Sequence, residues 1–255
     1  MSKKLSDEVK AFPRIWGGGY FEGDPLDPLA HSTYGRIGYI SVLHATYLRC
    51  IKPYIHKDTV ALELGPGRGA WTKALLPARE IYALDALSEE FNHFFEYLGC
   101  PKHVKYFQVE DFHCRMLPER HFTYMFSFGC LCHVSFEGIE EYAKNIFPKL
   151  KRGSNCFWMI ADFDKYNRAV SDPDRLSIWR AVLGEFLYTP LKWKYLFKKD
   201  RLLNIEDAER SRKPGRWHHA GINRTCSMLE KYGYKIIDPD VGTCLRDPII
   251  HFVKP

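Results

Sequence analysis

The stretch TVALELGPGRGAWTKALL at positions 59–76 constrains this chain more than any other part of it. An apolar run leads into Glu63, glycines follow at 65, 67 and 69, and helix-forming residues resume at Ala70. Glycine is required where a backbone turns tightly, and where a ligand must approach without meeting a Cβ atom. The helix that follows presents unpaired N–H groups and the positive end of its dipole. A strand, a glycine turn and a helix in that order predict an open α/β sheet with a nucleotide-like ligand at the strand's carboxyl end.

The rest of the chain continues the alternation. Strands are expected at Thr59–Leu64, Glu80–Leu84, Val104–Val109, Phe122–Phe128 and Asn155–Ala161. Helices are expected between them at Ala70–Leu76, Glu89–Leu98 and Glu137–Leu150, after a helix over Tyr39–Tyr54. In the third of the intervening helices Ile139, Tyr142, Ala143, Ile146, Phe147 and Leu150 form the apolar stripe of a helix lying on a sheet, and Gly153 is expected to cap its end. Such alternation predicts a doubly wound, mostly parallel sheet. A helix at Asn223–Lys231 and two closely spaced strands at Tyr234–Ile237 and Pro248–Val253 complete it, the last strand reversed. The rhythm breaks between Phe163 and Trp217, where aromatic and basic residues mix without a βαβ pattern. We read four regions: an arm and covering helix at 1–56, a core at 57–162, an inserted lid at 163–217, and the returning core at 218–255.

Two further carboxylates fall where such a ligand needs them. Asp85 ends the second strand, where a carboxylate can accept both hydroxyl protons of a ribose. Asp111 and Phe112 follow the third strand, where an acid can accept from an exocyclic amine and a ring can stack on a base. Asp85 could instead cap the next helix, and Asp111 could serve a turn. The glycine pattern also satisfies the relaxed dinucleotide fingerprint. Glu63 favours a cationic amino-acid tail over a pyrophosphate, because a carboxylate there would repel phosphate. The reversed last strand argues the same way, against a second mononucleotide half.

The order and spacing of ELGPGRG, of Asp85 and of VEDF at 109–112 resemble the class I S-adenosylmethionine-dependent methyltransferases. SFGCLCHV, KLKRGSNCFWMI and the YGYKIID and PIIHFVKP segments match the later parts of that fold, from about Thr59 to the C-terminus around the insertion. The resemblance implies a Rossmann-like sheet of seven strands with an antiparallel last strand. It implies an S-adenosylmethionine site built from Glu63, Gly65, Pro66, Gly67, Gly69, Trp71, Asp85, Ala86, Asp111, Phe112 and Phe128, leaving S-adenosylhomocysteine as product. The WGGGYFEGDP arm and RDPIIHF ending are similar to bacterial methyltransferases of surface-glycan pathways, which implies O-methylation of a sugar, glycan or related small-molecule hydroxyl or phosphate by direct displacement. The alternatives are an NAD-dependent oxidoreductase and a non-catalytic partner-binding protein of the same fold. No N-P-P-Y-type base-amine motif follows the fourth strand, so nucleic acid is not expected as a substrate.

His133, after the fourth strand, is the candidate base, since imidazole titrates near neutrality; a structural histidine capping the next helix is the competing reading. Cys130, Cys132 and His133 lie too close together to point one way on a strand, so no metal site is expected from them. Asp162 and Asp164 would share a side if the fifth strand continued. There they could bind an acceptor, or with His133 hold a divalent cation, a possibility not favoured over a solvated loop. His218 and His219 are acceptor-side candidates, and Tyr20, Tyr34 and Arg36 candidates for a cover. The basic aromatic stretch at 179–201 suits a membrane surface or an anionic or lipid-linked glycan acceptor, against the simpler reading of a solvated helical lid.

Composition limits the rest. A net charge of +6 is too weak to argue nucleic acid, and 45% hydrophobic residues make this a folding chain. The eight cysteines show no C-x-x-C spacing, and several fall in strands, as in a reducing compartment. With no secretory-type apolar segment near the start and no apolar run of membrane-span length, the expectation is a cytoplasmic protein, with the inner face of the membrane as the alternative location. Oligomeric state has no signal in the sequence.

Overall fold

A computed structural model describes residues 5–12, 23–29, 41–171, 204, 217–244 and 247–255. Seven strands form one sheet: β1 (Val60–Leu64), β2 (Glu80–Asp85), β3 (Val104–Gln108), β4 (Phe122–Ser127), β5 (Leu150–Met159), β6 (Lys235–Asp238) and β7 (Ile249–Val253). Their order is β3-β2-β1-β4-β5-β7-β6. All neighbours pair in parallel except β7, which runs antiparallel to both β5 and β6. This is the sheet typical of the class I methyltransferase fold, with the reversed strand where the sequence put it.

All five residues of β1 are buried, because helices cover both faces of the central strands. Strand alternation sorts the side chains into two cores. Val60, Leu62 and Leu64 face one way, with Ile139, Tyr142 and Ala143 of α5 (Phe136–Ile146) and Met228 and Leu229 of α7 (Ile222–Lys231). Ala61, Ile81 and Ala83 face the other way, with Trp71, Ala74 and Leu75 of α3 (Ala70–Leu75) and with Cys50 and Ile51 of a π-helical turn that prolongs α2 (Val42–Thr46). Short helices α1 (Leu5–Val9) and α4 (Phe94–Leu98) complete the layers, and α6 (Phe163–Ser171) follows β5. Among the described residues no helix is long and apolar enough to cross a membrane.

Four local expectations differ from what is found. The helix expected at Glu89–Leu98 keeps only its last turn and a half, because His93 takes a left-handed φ of 52° just before α4. Helix α5 stops at Ile146 and gives way to a 3₁₀ turn at Phe147–Lys149 with Pro148 in its first turn. Gly153 caps no helix: it lies inside β5 with φ 78°, and its N–H donates to the Lys254 carbonyl at 2.7 Å. The fifth strand ends at Met159 and not at the expected Ala161, and it does not continue, so Asp162 and Asp164 do not share a strand face. Asp164 is exposed in the first turn of α6, while Asp162 is buried.

Asp162 serves the fold. Its Oδ1 accepts from the N–H of Lys165 at 2.8 Å and its Oδ2 from the N–H of Ile222 at 2.8 Å. One carboxylate thus caps α6 and α7 together, tying the chain that leaves the core to the chain that returns. Each cap is worth about 1 kcal/mol, and removal also strands buried N–H groups. Asp162→Ala is therefore expected to lower unfolding stability by about 2 to 4 kcal/mol, read by urea denaturation. A loss under about 0.5 kcal/mol would exclude the double-cap role.

Candidate functional site

The carboxyl ends of β1, β2 and β4 open on a pocket of about 740 Å³, counted out to its mouth. Its floor is Gly65 and Gly67 after β1, and Leu84, Asp85, Ala86 and Leu87 at the end of β2. Its walls are Phe112, Gly129, Cys130, His133, Val134 and Tyr142, with Asn92 on the β2 side. Val9 and Phe12 close it from the N-terminal helix.

Asp85 organises the floor. Its Oδ2 accepts from the N–H of Gly67 at 3.1 Å, and its Oδ1 from the N–H of Leu87 at 2.9 Å. The second strand thereby holds the glycine turn of the first. Burial pushes the Asp85 carboxyl up to about 6, against the opposing pull of its backbone N–H donors and the Asn92 side chain. It is mostly ionised at neutral pH.

Gly65 shows why this loop needs glycine. Its φ is 68°, and a Cβ there would lie 2.3 Å from the Cβ of Cys130 and 2.5 Å from its Sγ. The turn after β4 presses directly on the turn after β1, so neither can move alone. Burial also pushes the Cys130 thiol up to about 12, which leaves it a protonated packing group at neutral pH.

Glu63 lies elsewhere than expected. Alternation turns its side chain to the α3 face, where the Thr72 hydroxyl donates to its Oε2 at 2.6 Å and only 2% of the residue is exposed. Burial, with the nearby Asp85 charge, pushes its carboxyl up to about 8 despite the Thr72 hydrogen bond. Glu63 is therefore largely neutral at pH 7, and it does not line the pocket. The repulsion of pyrophosphate by Glu63 charge does not hold.

The other expected residues divide. Ala86 and Phe112 line the pocket, and Phe112 stands edge-on to Tyr142 with centroids 4.8 Å apart. Asp111 does not: its Oδ1 accepts from the N–H of His113 at 2.8 Å, the turn role that competed with adenine binding. Pro66 and Gly69 lie behind the floor; the Pro66 carbonyl accepts from the Gly69 N–H at 2.9 Å. Trp71 and Phe128 pack together on the opposite face, centroids 4.5 Å apart. His133 lines the pocket at the end of a 3₁₀ turn, Leu131–His133. His218 joins that turn through its N–H, which donates to the Cys132 carbonyl at 2.9 Å. His219 accepts at Nδ1 from the Phe163 N–H at 3.1 Å, a structural use. Tyr20, Tyr34, Arg36 and the whole of the 179–201 stretch fall outside the described residues. No group of three or more metal-ligating side chains occurs among the described residues.

Val9, Phe12, Asn92 and Tyr142 are among the pocket residues that sequence reasoning missed, with Leu84, Leu87, Gly129, Cys130 and Val134. Tyr142 was visible as part of a helical stripe, which marks burial and not which end of the helix reaches a ligand. Phe12 and Val9 come from an N-terminal turn with no periodic signal. That turn is fixed by Glu8, whose carboxylate accepts from the N–H and the hydroxyl of Ser135 at 2.5 and 2.7 Å.

No family model and no curated relative matches the sequence. Solved structures do match the fold. An S-adenosylmethionine-dependent methyltransferase from Mesorhizobium loti is 15% identical, covering 84% of this chain and 98% of that one, with a TM-score of 0.54. The N-methyltransferase NodS from Bradyrhizobium japonicum WM9, in complex with S-adenosylhomocysteine, is 11% identical over 97% of this chain and 98% of that one, with a TM-score of 0.54. A methyltransferase from Aquifex aeolicus is 13% identical over 82% and 93%, with a TM-score of 0.51. At such identities the likeness is one of fold.

Glu63 supplies a test of the site's electrostatics. A carboxyl raised to about 8 in the folded chain, from an ordinary value of 4.5, adds stability below pH 4.5 that is lost as pH rises through 8. Glu63→Gln mimics the protonated acid and removes that loss. The variant should gain stability relative to the parent between pH 5 and pH 8.5 in urea titrations. A constant difference across that range would mean that Glu63 ionises normally.

Proposed function

We propose that the chain is an S-adenosylmethionine-dependent methyltransferase acting on a hydroxyl of a sugar or related small molecule. The observation that carries the cofactor assignment is the charge of the pocket lining. Asp85 is its one carboxylate, and none of the described residues lining it is Lys or Arg. A pyrophosphate would meet a negative floor without a cation to balance it, whereas an adenosyl sulfonium is neutral at its ribose and positive at its sulfur. The fold likeness to methyltransferases supports the same choice over a nicotinamide cofactor.

The residues present fit that cofactor. Asp85 would accept from the ribose hydroxyls, with Gly65 and Gly67 allowing close backbone approach. Ala86, Leu87, Phe112 and Tyr142 offer apolar and aromatic surface for a base. S-adenosylmethionine supplies an electrophilic methyl group on sulfur. His133, at the carboxyl end of β4, would take the proton from the acceptor hydroxyl at an imidazole nitrogen. The largely apolar lining leaves positioning as the chain's main contribution. The sugar or glycan acceptor is supported by the sequence resemblance and by the basic aromatic stretch at 179–201, which could also bring the enzyme to an anionic or lipid-linked acceptor at a membrane surface.

Calorimetry with S-adenosylhomocysteine and with NAD tests the cofactor reading. S-adenosylhomocysteine should bind and NAD should not; the reverse result would replace this reading with an oxidoreductase. Because a ribose favours the ionised carboxylate, affinity should fall as pH drops through about 6, where Asp85 takes up its proton. Asp85→Asn should weaken binding about 10- to 100-fold at pH 7.5 and flatten that profile. His133→Ala should lower kcat by about 10²- to 10⁴-fold with cofactor affinity within about twofold of the parent. Full turnover in that variant would remove His133 as the base.

A further inference from the structure

Between β2 and α4 the chain dips inward at Asn92, which is wholly buried and lines the pocket beside Asp85. A polar amide at such a depth needs partners to offset its desolvation. Its Nδ2 donates to the Tyr106 hydroxyl at 2.9 Å, and the Tyr106 hydroxyl donates to the Leu87 carbonyl at 2.8 Å. The Asn92 side chain also hydrogen-bonds the Asp85 carboxylate. Leu87 in turn gives its N–H to Asp85 Oδ1. The four residues close a ring: Asp85, Leu87, Tyr106, Asn92. Its position is held from the sheet, because Tyr106 lies on β3.

We propose that Asn92 is a positioning residue, backed by Tyr106, that fixes the Asp85 carboxylate to receive both ribose hydroxyls. This rests on the cofactor reading above. The N–H groups of Gly67 and Leu87 reach one oxygen each and tie the carboxylate to the loops on either side. Asn92 adds a donor whose own orientation is set by a tyrosine on a strand, so the carboxylate plane is referred to the sheet. A leucine or alanine at 92 would fill or empty the space without that donor.

The groups facing Asp85 are few. Glu63 approaches from β1, Tyr106 from β3, Cys130 and His133 from the turn after β4, and Tyr142 from α5. The Glu63 and Cys130 groups are pushed up by burial and stay protonated at neutral pH. The amide of Asn92 therefore favours the ionised form of Asp85 where neighbouring side chains contribute little positive charge.

The experiment follows the Asp85 carboxyl carbon by NMR titration in the cofactor-free protein, assigned with Asp85→Asn, for the parent, Asn92→Ala and Tyr106→Phe. In parallel, S-adenosylhomocysteine affinity is measured by calorimetry from pH 5.5 to 8.5. The Asp85 midpoint, near 6 in the parent, should rise in Asn92→Ala and rise less in Tyr106→Phe. Affinity at pH 6.5 should drop about tenfold or more in Asn92→Ala, with a smaller loss at pH 8.5. A merely structural Asn92 would lower affinity equally at every pH and leave the midpoint in place; that result overturns the proposal. So does a raised midpoint with unchanged affinity. If Asn92→Ala does not fold, Tyr106→Phe and Asn92→Ser carry the same comparison. A parent that binds no S-adenosylhomocysteine at any pH overturns the cofactor reading, and the ribose role of Asn92 with it. An unmoved midpoint in a parent-like binder overturns the Asn92 role alone.

Discussion

The site depends on two backbone N–H groups converging on one carboxylate. Asp85 takes the N–H of Gly67 from the turn after β1 and that of Leu87 from its own loop. Without it the Gly67 N–H would lose this partner, and the turn after β1 would lose its side-chain tie to the end of β2. Cys130 then presses from the far side into the space that a side chain at Gly65 would fill. Three loops from three parallel strands are thus locked by one charge-assisted cluster and one close contact. A helix dipole alone would attract a ligand to this edge of the sheet, but it would not fix the distances between the loops.

Much of this arrangement was legible from residue order. The alternation of apolar runs predicted all seven strands, and the two short strands at the end predicted the reversal of β7. Asp85 was identifiable because it ends the second strand of a glycine-loop unit, a place where few roles compete. Several side chains lie elsewhere than expected. Glu63 was read as facing the ligand, yet period-two alternation already places it with Ala61 on the α3 side, and Thr72 completes its hydrogen bonding. Trp71 and Phe128 likewise lie near the motif in sequence but pack in the opposite core.

Asn92 illustrates a different limit. Its segment carries a helical pattern, and a polar residue in such a pattern reads as solvent-facing. The left-handed turn at His93 instead ends the loop and drives Asn92 inward. Asp162 was recognised as important but for the wrong chemistry, since a carboxylate after a strand can serve a ligand or cap a helix. Only the arrival of Ile222 from sixty residues away decides between them. Short-range pattern identifies elements, whereas the partners of buried polar groups are set by contacts distant in sequence.

The hydroxyl of Ser135 joins two parts of the pocket that the sequence keeps far apart. It accepts from Gly138 at the start of α5, the helix that brings Tyr142 to the wall, and it donates to Glu8 beside Val9. Displacing the N-terminal turn therefore also disturbs the first turn of α5. One hydroxyl thus couples the Val9 and Phe12 side of the pocket to the helix that carries its tyrosine wall, so the two sides are built as a single unit.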